Sequence, residues 1–226
     1  MMKVLIGIQA RSGSSRLPDK IYAQIDNKSV LEHVYDRCAE AKAYKNVLEI
    51  IPCVLGPLGD EKLEEFCQQK NLRFLPGKDK ENDLIARFHR AMETFDADFL
   101  VRITSDCPLM DVNWINGVVS KLFEYDYVSN TMQRTCLDGH DVQGISRKAW
   151  EYYAPLAEER EHVFLDIEQD YRFRKRMQDD GFSVYSLIDN QKSIVNPYLQ
   201  ATKLSLDTED DLKRIREVYA QLHRKG

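Results

Sequence analysis

The chain has 226 residues, 43% of them hydrophobic and 31% charged, with a formal net charge of −5 at pH 7. That length suits one α/β domain spanning 1–226, and the balance is globular rather than disordered. A net negative chain offers no broad basic face to duplex nucleic acid, so an anionic small ligand has to be met by a local cationic patch or a metal ion.

Taken in chain order, the apolar run Val4-Leu5-Ile6-Gly7-Ile8 reads as a strand buried on both faces of a parallel sheet. A Gly/Ser/Pro-rich loop follows over 10–20. Helical spacing of Leu31, Val34, Tyr35, Cys38 and Ala41 predicts a helix over 30–41. A second strand is expected at 48–51, ended by Pro52, then a helix over 60–70, a brief strand at 73–75 and a helix over 83–95. A fourth strand, 99–103, leads directly into Thr104-Ser105-Asp106-Cys107-Pro108. This alternation predicts a doubly wound α/β layer sandwich with a mostly parallel central sheet. From about 130 to 200 the alternation weakens. Short strands at 142–146 and 183–187, with helices between them, are expected there as an inserted elaboration. A late strand at 204–206 and a closing helix over 208–223 complete the chain. Thr208 and Asp211 are spaced as a capping box for that helix.

The five cysteines, Cys38, Cys53, Cys67, Cys107 and Cys136, are scattered without metal-ligand spacing, which predicts reduced thiols in a cytoplasm. The apolar run at 1–8 is too short for a signal peptide, and no stretch approaches membrane-spanning length. A cytoplasmic protein with neither a membrane nor a nucleic acid as partner is expected.

The segment Gln9-Ala10-Arg11-Ser12-Gly13-Ser14-Ser15-Arg16-Leu17-Pro18-Asp19-Lys20 is the most informative. It lies at the carboxyl end of a buried strand, where open α/β sheets bind ligands. Its small residues let backbone N–H groups approach phosphate oxygens, and Arg11, Arg16 and Lys20 bring three cations within ten positions. It is neither a Walker A loop, since no lysine follows Gly13-Ser14-Ser15, nor a dinucleotide-binding glycine triplet. A solvated turn with ordinary charges is the competing reading. Two acidic positions, Asp106 and Asp207, end the fourth and the late strand. Carboxylates at neighbouring strand tips can share a magnesium ion that neutralises phosphate charge. Each also has a plain structural use, Asp207 at a helix N-terminus and Asp106 as a turn cap before Pro108.

Six blocks then occur in order: Gln9-Ala10-Arg11-x-Gly13-Ser14-x-Arg16-Leu17-Pro18-x-Lys20, Arg102-Ile103-Thr104-x-Asp106-Cys107-Pro108-Leu109, Asp126-Tyr127-Val128-Ser129-Asn130-Thr131, Arg134-Thr135-x-x-Asp138-Gly139-x-Asp141-Val142, Arg160-Glu161-His162-Val163 and Leu206-Asp207-Thr208-x-x-Asp211-Leu212. Together they resemble the cytidylyltransferase family of spore-coat polysaccharide synthesis proteins, over nearly the whole chain. More distantly the chain is similar to the synthetases that make CMP-KDO and CMP-sialic acids.

The resemblance implies a three-layer, GT-A-like (Rossmann-like) nucleotidyltransferase fold whose first loop wraps the triphosphate of CTP. It implies catalytic roles for Arg11, Lys20, Asp106 and Asp207, with Asp106 and Asp207 as ligands of Mg2+. Nucleotide contacts would come from Gln9, Ala10, Arg11, Ser12, Gly13, Ser14, Arg16, Lys20, Thr104 and Ser105. Arg134, Asp141, Gln143, Glu161 and His162 would face a sugar, sugar-acid or phosphorylated small acceptor, within an acceptor-side region at about 130–200 that is also the candidate for dimerisation, since dimers are common among the similar synthetases. The implied reaction is attack by an acceptor oxygen on the α-phosphorus of CTP with release of pyrophosphate, for surface polysaccharide or glycan synthesis.

Four departures stand out. Ser105 replaces a more usual glycine, Gln143 stands where an acidic residue commonly follows Asp-Val, Ile51-Pro52-Cys53 replaces a Thr/Ser-rich strand end, and His140 replaces a residue that is often apolar. Gln143 and the 51–53 change bear on acceptor identity and base selectivity. An imidazole titrates in the neutral range, so His162 suits a general base or a donor to an anionic acceptor; the other reading makes it a buried residue that fixes the insertion. His33, His89 and His223 read as bystanders, and Trp114 and Trp150 as core or interface residues. The run Arg172, Arg174, Lys175, Arg176 reads as a solvated helix face, or as a lid over an acceptor anion. Two other functions compete. A glycosyltransferase consuming a nucleotide-sugar usually carries Asp-x-Asp, which Ser105-Asp106-Cys107-Pro108 is not. A non-catalytic nucleotide binder need not keep Arg11, Lys20, Asp106 and Asp207 together.

Overall fold

The computed structural model describes residues 2–42, 47–189 and 202–223. The strands are β1 (Met2–Gln9), a small hairpin β2 (Gln24–Ile25) and β3 (Lys28–Ser29), β4 (Val47–Leu55), β5 (Phe74–Leu75), β6 (Phe99–Thr104), β7 (Tyr127–Ser129), β8 (Gln143–Ser146) and β9 (Val184–Ser186). Between and after them run α1 (Val30–Ala39), α2 (Glu61–Gln69), α3 (Leu84–Phe95), α4 (Val112–Lys121), α5 (Arg147–Tyr153), α6 (Leu165–Gln169), α7 (Tyr171–Asp179) and α8 (Glu209–His223). Among the described residues, seven strands form one sheet in the order β5-β4-β1-β6-β8-β7-β9, and only β8 runs against the others.

β1 is apolar at every inner position because both of its faces are covered. Val4, Ile6 and Ile8 pack with Leu31 and Val34 of α1 and Val118 of α4. Leu5 faces the other layer, with Phe88 of α3 and Trp150 of α5. Gly7 sits on that second face because α3 comes close: a Cβ there would lie 2.6 Å from the Phe88 ring. All five cysteines are buried and unpaired, and no described helix is long and apolar enough to cross a membrane.

Two expectations fail for topological reasons. Pro52 does not end the second strand, which continues to Leu55. Val54 N–H, two residues on, donates to Arg73 on the β5 side, so the imino nitrogen of Pro52 points to that side too; β5 pairs only from Val54 onward, and no ladder bond is lost. Residues 204–206 make no strand; the only strand-like pairing beside them is a single bridge of the preceding Lys203 to Asp138, among the described residues. β6 is already paired on both edges, by β1 and β8, so no edge is open to receive them. Strand β7 was not expected, and of α4 only a helical context around Trp114 was. α4 carries Asn, Gly and β-branched residues of weak helix propensity and is held instead by burial of Ile115, Val118 and Val119 and by the Asp111 cap, 2.9 Å from Asn113 N. Within 130–200, β8, α5, α6, α7 and β9 are present, and 190–200 lies outside the described residues.

Candidate active site

A cleft of about 900 Å³, counted to its open mouth, lies beyond the carboxyl ends of β1 and β6. Its place at the strand ends of an open α/β sheet suits a small-molecule ligand. Of the expected nucleotide-contacting residues, Gln9, Ala10, Arg11, Gly13, Ser14, Arg16, Lys20, Thr104 and Ser105 line it, together with Asp106, Asp207, Glu161 and His162. The loop is tied to the sheet by Ala10 N–H to Leu55 O (3.2 Å) and Ser105 N–H to Gln9 O (3.2 Å). A Cβ added at Gly13 would meet nothing within 4 Å, so packing does not demand glycine there; what glycine keeps clear is the approach to its own amide.

Ser12 is the exception within the loop. Its amide and hydroxyl both turn to Asp60, the N-cap of α2, at 2.7 and 2.5 Å, and the hydroxyl also meets Tyr22. It anchors the loop rather than lining the cleft. Burial pushes the Tyr22 phenol up to about 12, so it stays a neutral hydrogen-bonding partner.

Lys20 is the centre of the site. Asp19 takes a left-handed conformation (φ 60°), tolerable for aspartate, and starts the short 3-10 turn Lys20–Tyr22. The Lys20 ammonium then donates to Asp106 Oδ2 (2.7 Å), Leu206 O (2.9 Å) and Asp207 Oδ1 (3.3 Å). The three side chains are only 17%, 24% and 19% exposed, so these contacts are weakly screened. Asp207 reaches this place without a strand: Leu206 N–H donates to Asp106 O at 2.9 Å, stitching the two segments together. The expected capping box at α8 is present, with Asp211 N–H on Thr208 Oγ1 (3.2 Å) and Thr208 N–H on Asp211 Oδ2 (2.9 Å). Asp211 also accepts from Asp207 N (3.0 Å) and so fixes the backbone of Asp207.

Asp207 is gripped by Arg16 (3.0 Å), Lys20 and Lys203 (2.9 Å). Burial alone would raise its pKa, but the hydrogen bond from Lys203 and the charge of Lys20 outweigh it and hold the carboxyl below its ordinary range. Asp106 and Asp207 thus both reach one cation, with hard oxygen donors of the kind magnesium takes. Among the described residues no cluster of three His, Cys, Asp or Glu exists. Asp106 and Asp207 would supply two hard carboxylate donors, which with water and phosphate oxygens is a donor set that fits magnesium.

Opposite the loop, α3 contributes a residue that sequence reasoning missed. Arg87 lines the cleft although it is only 2% exposed. One Nη donates to Glu81 O (2.9 Å), while its buried Nε has no partner, and burial draws its pKa down. The signal was present in the sequence: Arg87 falls among Leu84, Ile85, Phe88 and Ala91, on the apolar face of the helix.

The acceptor-side residues divide into two groups. Glu161 and His162 reach the cleft because Arg160 is latched to Asp83, the N-cap of α3, at 2.7 Å, and Leu84 N–H donates to Arg160 O (3.0 Å). His162 is exposed rather than buried, which removes its reading as a buried structural residue. Arg134, Asp141 and Gln143 do not line the cleft. Arg134 and Asp141 form a two-pronged pair at 2.7 and 2.8 Å, and Gln143 accepts from Arg102. In α7, Arg174 closes the end of α6 through Ile167 O (2.8 Å) and Glu168 O (2.9 Å), and Lys175 pairs with Asp179, consistent with a solvated face. His89 is exposed on α3, away from the cleft lining, and accepts from Trp150 Nε1 at 3.2 Å.

Comparison with known proteins bears on the family and the fold. Residues 5–223 match the cytidylyltransferase family. The chain is 24% identical to the spore coat polysaccharide biosynthesis protein SpsF of Bacillus subtilis (strain 168), across 97% of this chain and 87% of that protein. It is 28% identical to 3-deoxy-manno-octulosonate cytidylyltransferase 2 of Hydrogenovibrio crunogenus, across 56% of this chain and 49% of the relative. With several curated relatives the match thus spans about half of their length. Among solved structures, a cytidylyltransferase from Leptospira borgpetersenii serovar Hardjo-bovis is 28% identical and superposes with a TM-score of 0.77, covering 96% of this chain and 86% of that one.

Proposed function

The chain belongs to the cytidylyltransferase family of nucleotidyltransferase enzymes, and on that premise we propose that it transfers CMP from CTP to a sugar, sugar-acid or phosphorylated small acceptor. The relatives named for octulosonate transfer and for spore-coat polysaccharide synthesis point to a sugar acid and to surface polysaccharide. The observation that carries the reading is the convergence of Lys20, Asp106 and Asp207 at the mouth of the Gly13 loop.

In this reaction an acceptor oxygen bonds to the α-phosphorus as the bond to pyrophosphate breaks, and catalysis is mainly positioning and charge compensation. Arg11, Arg16 and Lys20 hold the leaving pyrophosphate, and loop amides from Ala10 to Ser14 cradle the phosphates. Asp106 and Asp207 would hold magnesium, which when bound would neutralise the phosphate oxygens. Glu161 and His162 face the acceptor, within an acceptor-side region of a single domain. A hydroxyl acceptor gives up its proton to His162 or to water; a phosphate or carboxylate acceptor needs no base. The reaction runs in the cytoplasm, where buried cysteines such as Cys107 stay reduced.

The test is pyrophosphate release from CTP, ATP, GTP and UTP with magnesium and a panel of acceptors that includes 3-deoxy-manno-octulosonate and phosphorylated polyols. Release confined to CTP and dependent on one acceptor supports the reading. Release from no nucleotide rejects it.

A further inference from the structure

Arg11 is held inside the cleft by Glu81, with its Nη1 2.5 Å from Glu81 Oε1, and both residues line that cleft. Among the described residues Arg11 is the only ion-pair partner of Glu81, whose side chain is 53% exposed. The backbone around Glu81 is pinned. Arg87 Nη2 donates to Glu81 O (2.9 Å), Arg90 Nε meets Asp79 Oδ2 (2.9 Å), and Leu58 N–H donates to Asp79 O (3.1 Å). The carboxylate is thus offered to the cleft from a fixed stretch of chain.

Arg87 lines the same cleft while being only 2% exposed. Its Nη2 takes the carbonyls of Lys80 and Glu81; Nε and Nη1 have no hydrogen-bond partner among the described residues. No carboxylate among the described residues lies within ion-pair distance of it, because Asp79 is engaged by Arg90 and Glu81 by Arg11. A buried guanidinium with unused donors is costly for the free protein unless a ligand supplies acceptors.

The cleft extends from Asp207, just before α8, to Leu84, the first residue of α3. Lys20, Asp106 and Asp207 converge at one end of it. Glu81 and Arg87, three residues to either side of Leu84, stand at the other, where Leu84 offers an apolar wall to a planar ring. There a carboxylate, which accepts, lies beside a guanidinium, which only donates. Cytosine matches that pattern: its 4-amino group donates, and its N3 and O2 accept. Uracil reverses it, with O4 in place of the amine and an N3–H in place of the lone pair.

We propose that Glu81 and Arg87 select the base of the nucleotide, Glu81 accepting from the 4-amino group of cytosine and Arg87 donating to its N3 and O2 edge. The assignment rests on the cytidylyltransferase reading and supplies its base selectivity. It also gives the Arg11–Glu81 pair a use. When phosphate oxygens take Arg11, the carboxylate loses its partner, and the cytosine amine replaces it. Uracil would leave both protein groups facing a like partner, the kind of mismatch that discriminates strongly.

The experiment is calorimetric binding to the full chain in magnesium. The ligands are CTP, UTP and the triphosphates of 2-pyrimidinone riboside, which lacks the 4-amino group, and of 3-deazacytidine, which has carbon in place of N3. The wild type is expected to bind CTP about tenfold or more tighter than each of the others. Glu81→Gln, at an exposed position, is expected to cut the CTP-to-UTP preference about tenfold. The ratio is the readout, because releasing Arg11 changes both affinities alike; a Glu81 that merely holds Arg11 leaves the ratio unchanged, and that result overturns the assignment. Arg87→Lys is expected to close the gap between CTP and the 3-deaza nucleotide, and an unchanged gap overturns the role of Arg87. Should that variant not fold, equal wild-type binding of those two nucleotides still overturns it, as equal binding of CTP and the 2-pyrimidinone nucleotide does for Glu81. In each of these cases a wild type that prefers CTP to UTP keeps the cytidylyl reading. A wild type that binds no triphosphate, or UTP as tightly as CTP, overturns that reading and the base-selecting pair together.

Discussion

The Lys20 ammonium lies 2.7 Å from Asp106 Oδ2, although 86 residues separate the two in sequence. Lys20 also touches Asp207, so one cation sits between two carboxylates that would otherwise repel each other. Lys20→Met and Asp106→Asn each remove one side of this contact. CTP-dependent pyrophosphate release is expected to fall by about 10² or more in both, the scale of losing one well-placed charge-stabilising group. Asp106→Asn should fold with stability within about 1 kcal/mol of the parent, because Lys20 retains Leu206 O and Asp207. Steady-state rates and urea denaturation check both; a wild-type rate in either variant removes its role.

Asp211 links stability to pH. Burial works against its ionised form, but hydrogen bonds from Lys203, Arg214 and the backbone of Asp207 and Thr208 outweigh it and hold the carboxyl far below its ordinary range. A depressed carboxyl stabilises the fold above its unfolded pKa of about 4, and that contribution disappears as pH falls toward the folded value. Asp211→Ala should therefore cost about 1 kcal/mol or more at pH 7 through the lost cap and ion pairs. In urea titrations the gap between variant and parent should narrow progressively from about pH 5 down to about pH 2. A gap that stays constant would show that ionisation of Asp211 contributes nothing.

His162 is exposed at the cleft, so its substitution can be read without concern for the core. If His162 removes the acceptor proton, His162→Gln abolishes the acidic limb of the pH–rate profile for a hydroxyl acceptor and lowers the plateau by about 10². Unchanged limbs would assign proton removal to water or show that the acceptor is already ionised.

Two glycines should behave in opposite ways. A Cβ at Gly77 would lie 2.0 Å from the Pro57 carbonyl carbon and 2.3 Å from Leu58 N, both backbone atoms that cannot swing aside. Gly77→Ala is expected to cost about 3 kcal/mol, seen as a lowered urea midpoint. At Gly13 nothing lies within 4 Å, so Gly13→Ala should leave the midpoint unchanged and weaken CTP binding in calorimetry. Loss of stability without loss of binding at Gly13 would mean that its amide does not meet phosphate.

Much of this arrangement was legible along the chain, and the limits have physical causes. The apolar run Val4–Ile8 identified β1 because burial on both faces removes polar residues from every position. Ser12 looked like its neighbours in a small-residue loop; only the approach of Asp60, 48 residues away, turns it from the cleft. Arg87 escaped notice because a charged residue is assumed to be solvated, whereas α3 packing buries it; Arg102 stood in a quoted block without a role of its own, and β1 and β8 on either side of β6 place it between two glutamines.

By itself the sequence determined the strand–helix alternation, the cationic glycine loop after β1 and the Thr208–Asp211 cap, features written within a few residues of one another by periodicity and local hydrogen bonding. Only the tertiary structure decided that Pro52 could continue a strand, that Asp207 would reach Asp106 through a backbone hydrogen bond rather than a shared sheet edge, and that Arg102 would donate to Gln9 and Gln143. Those outcomes depend on which strand lies beside which, and on how donors and acceptors from distant segments are shared out once the sheet has closed.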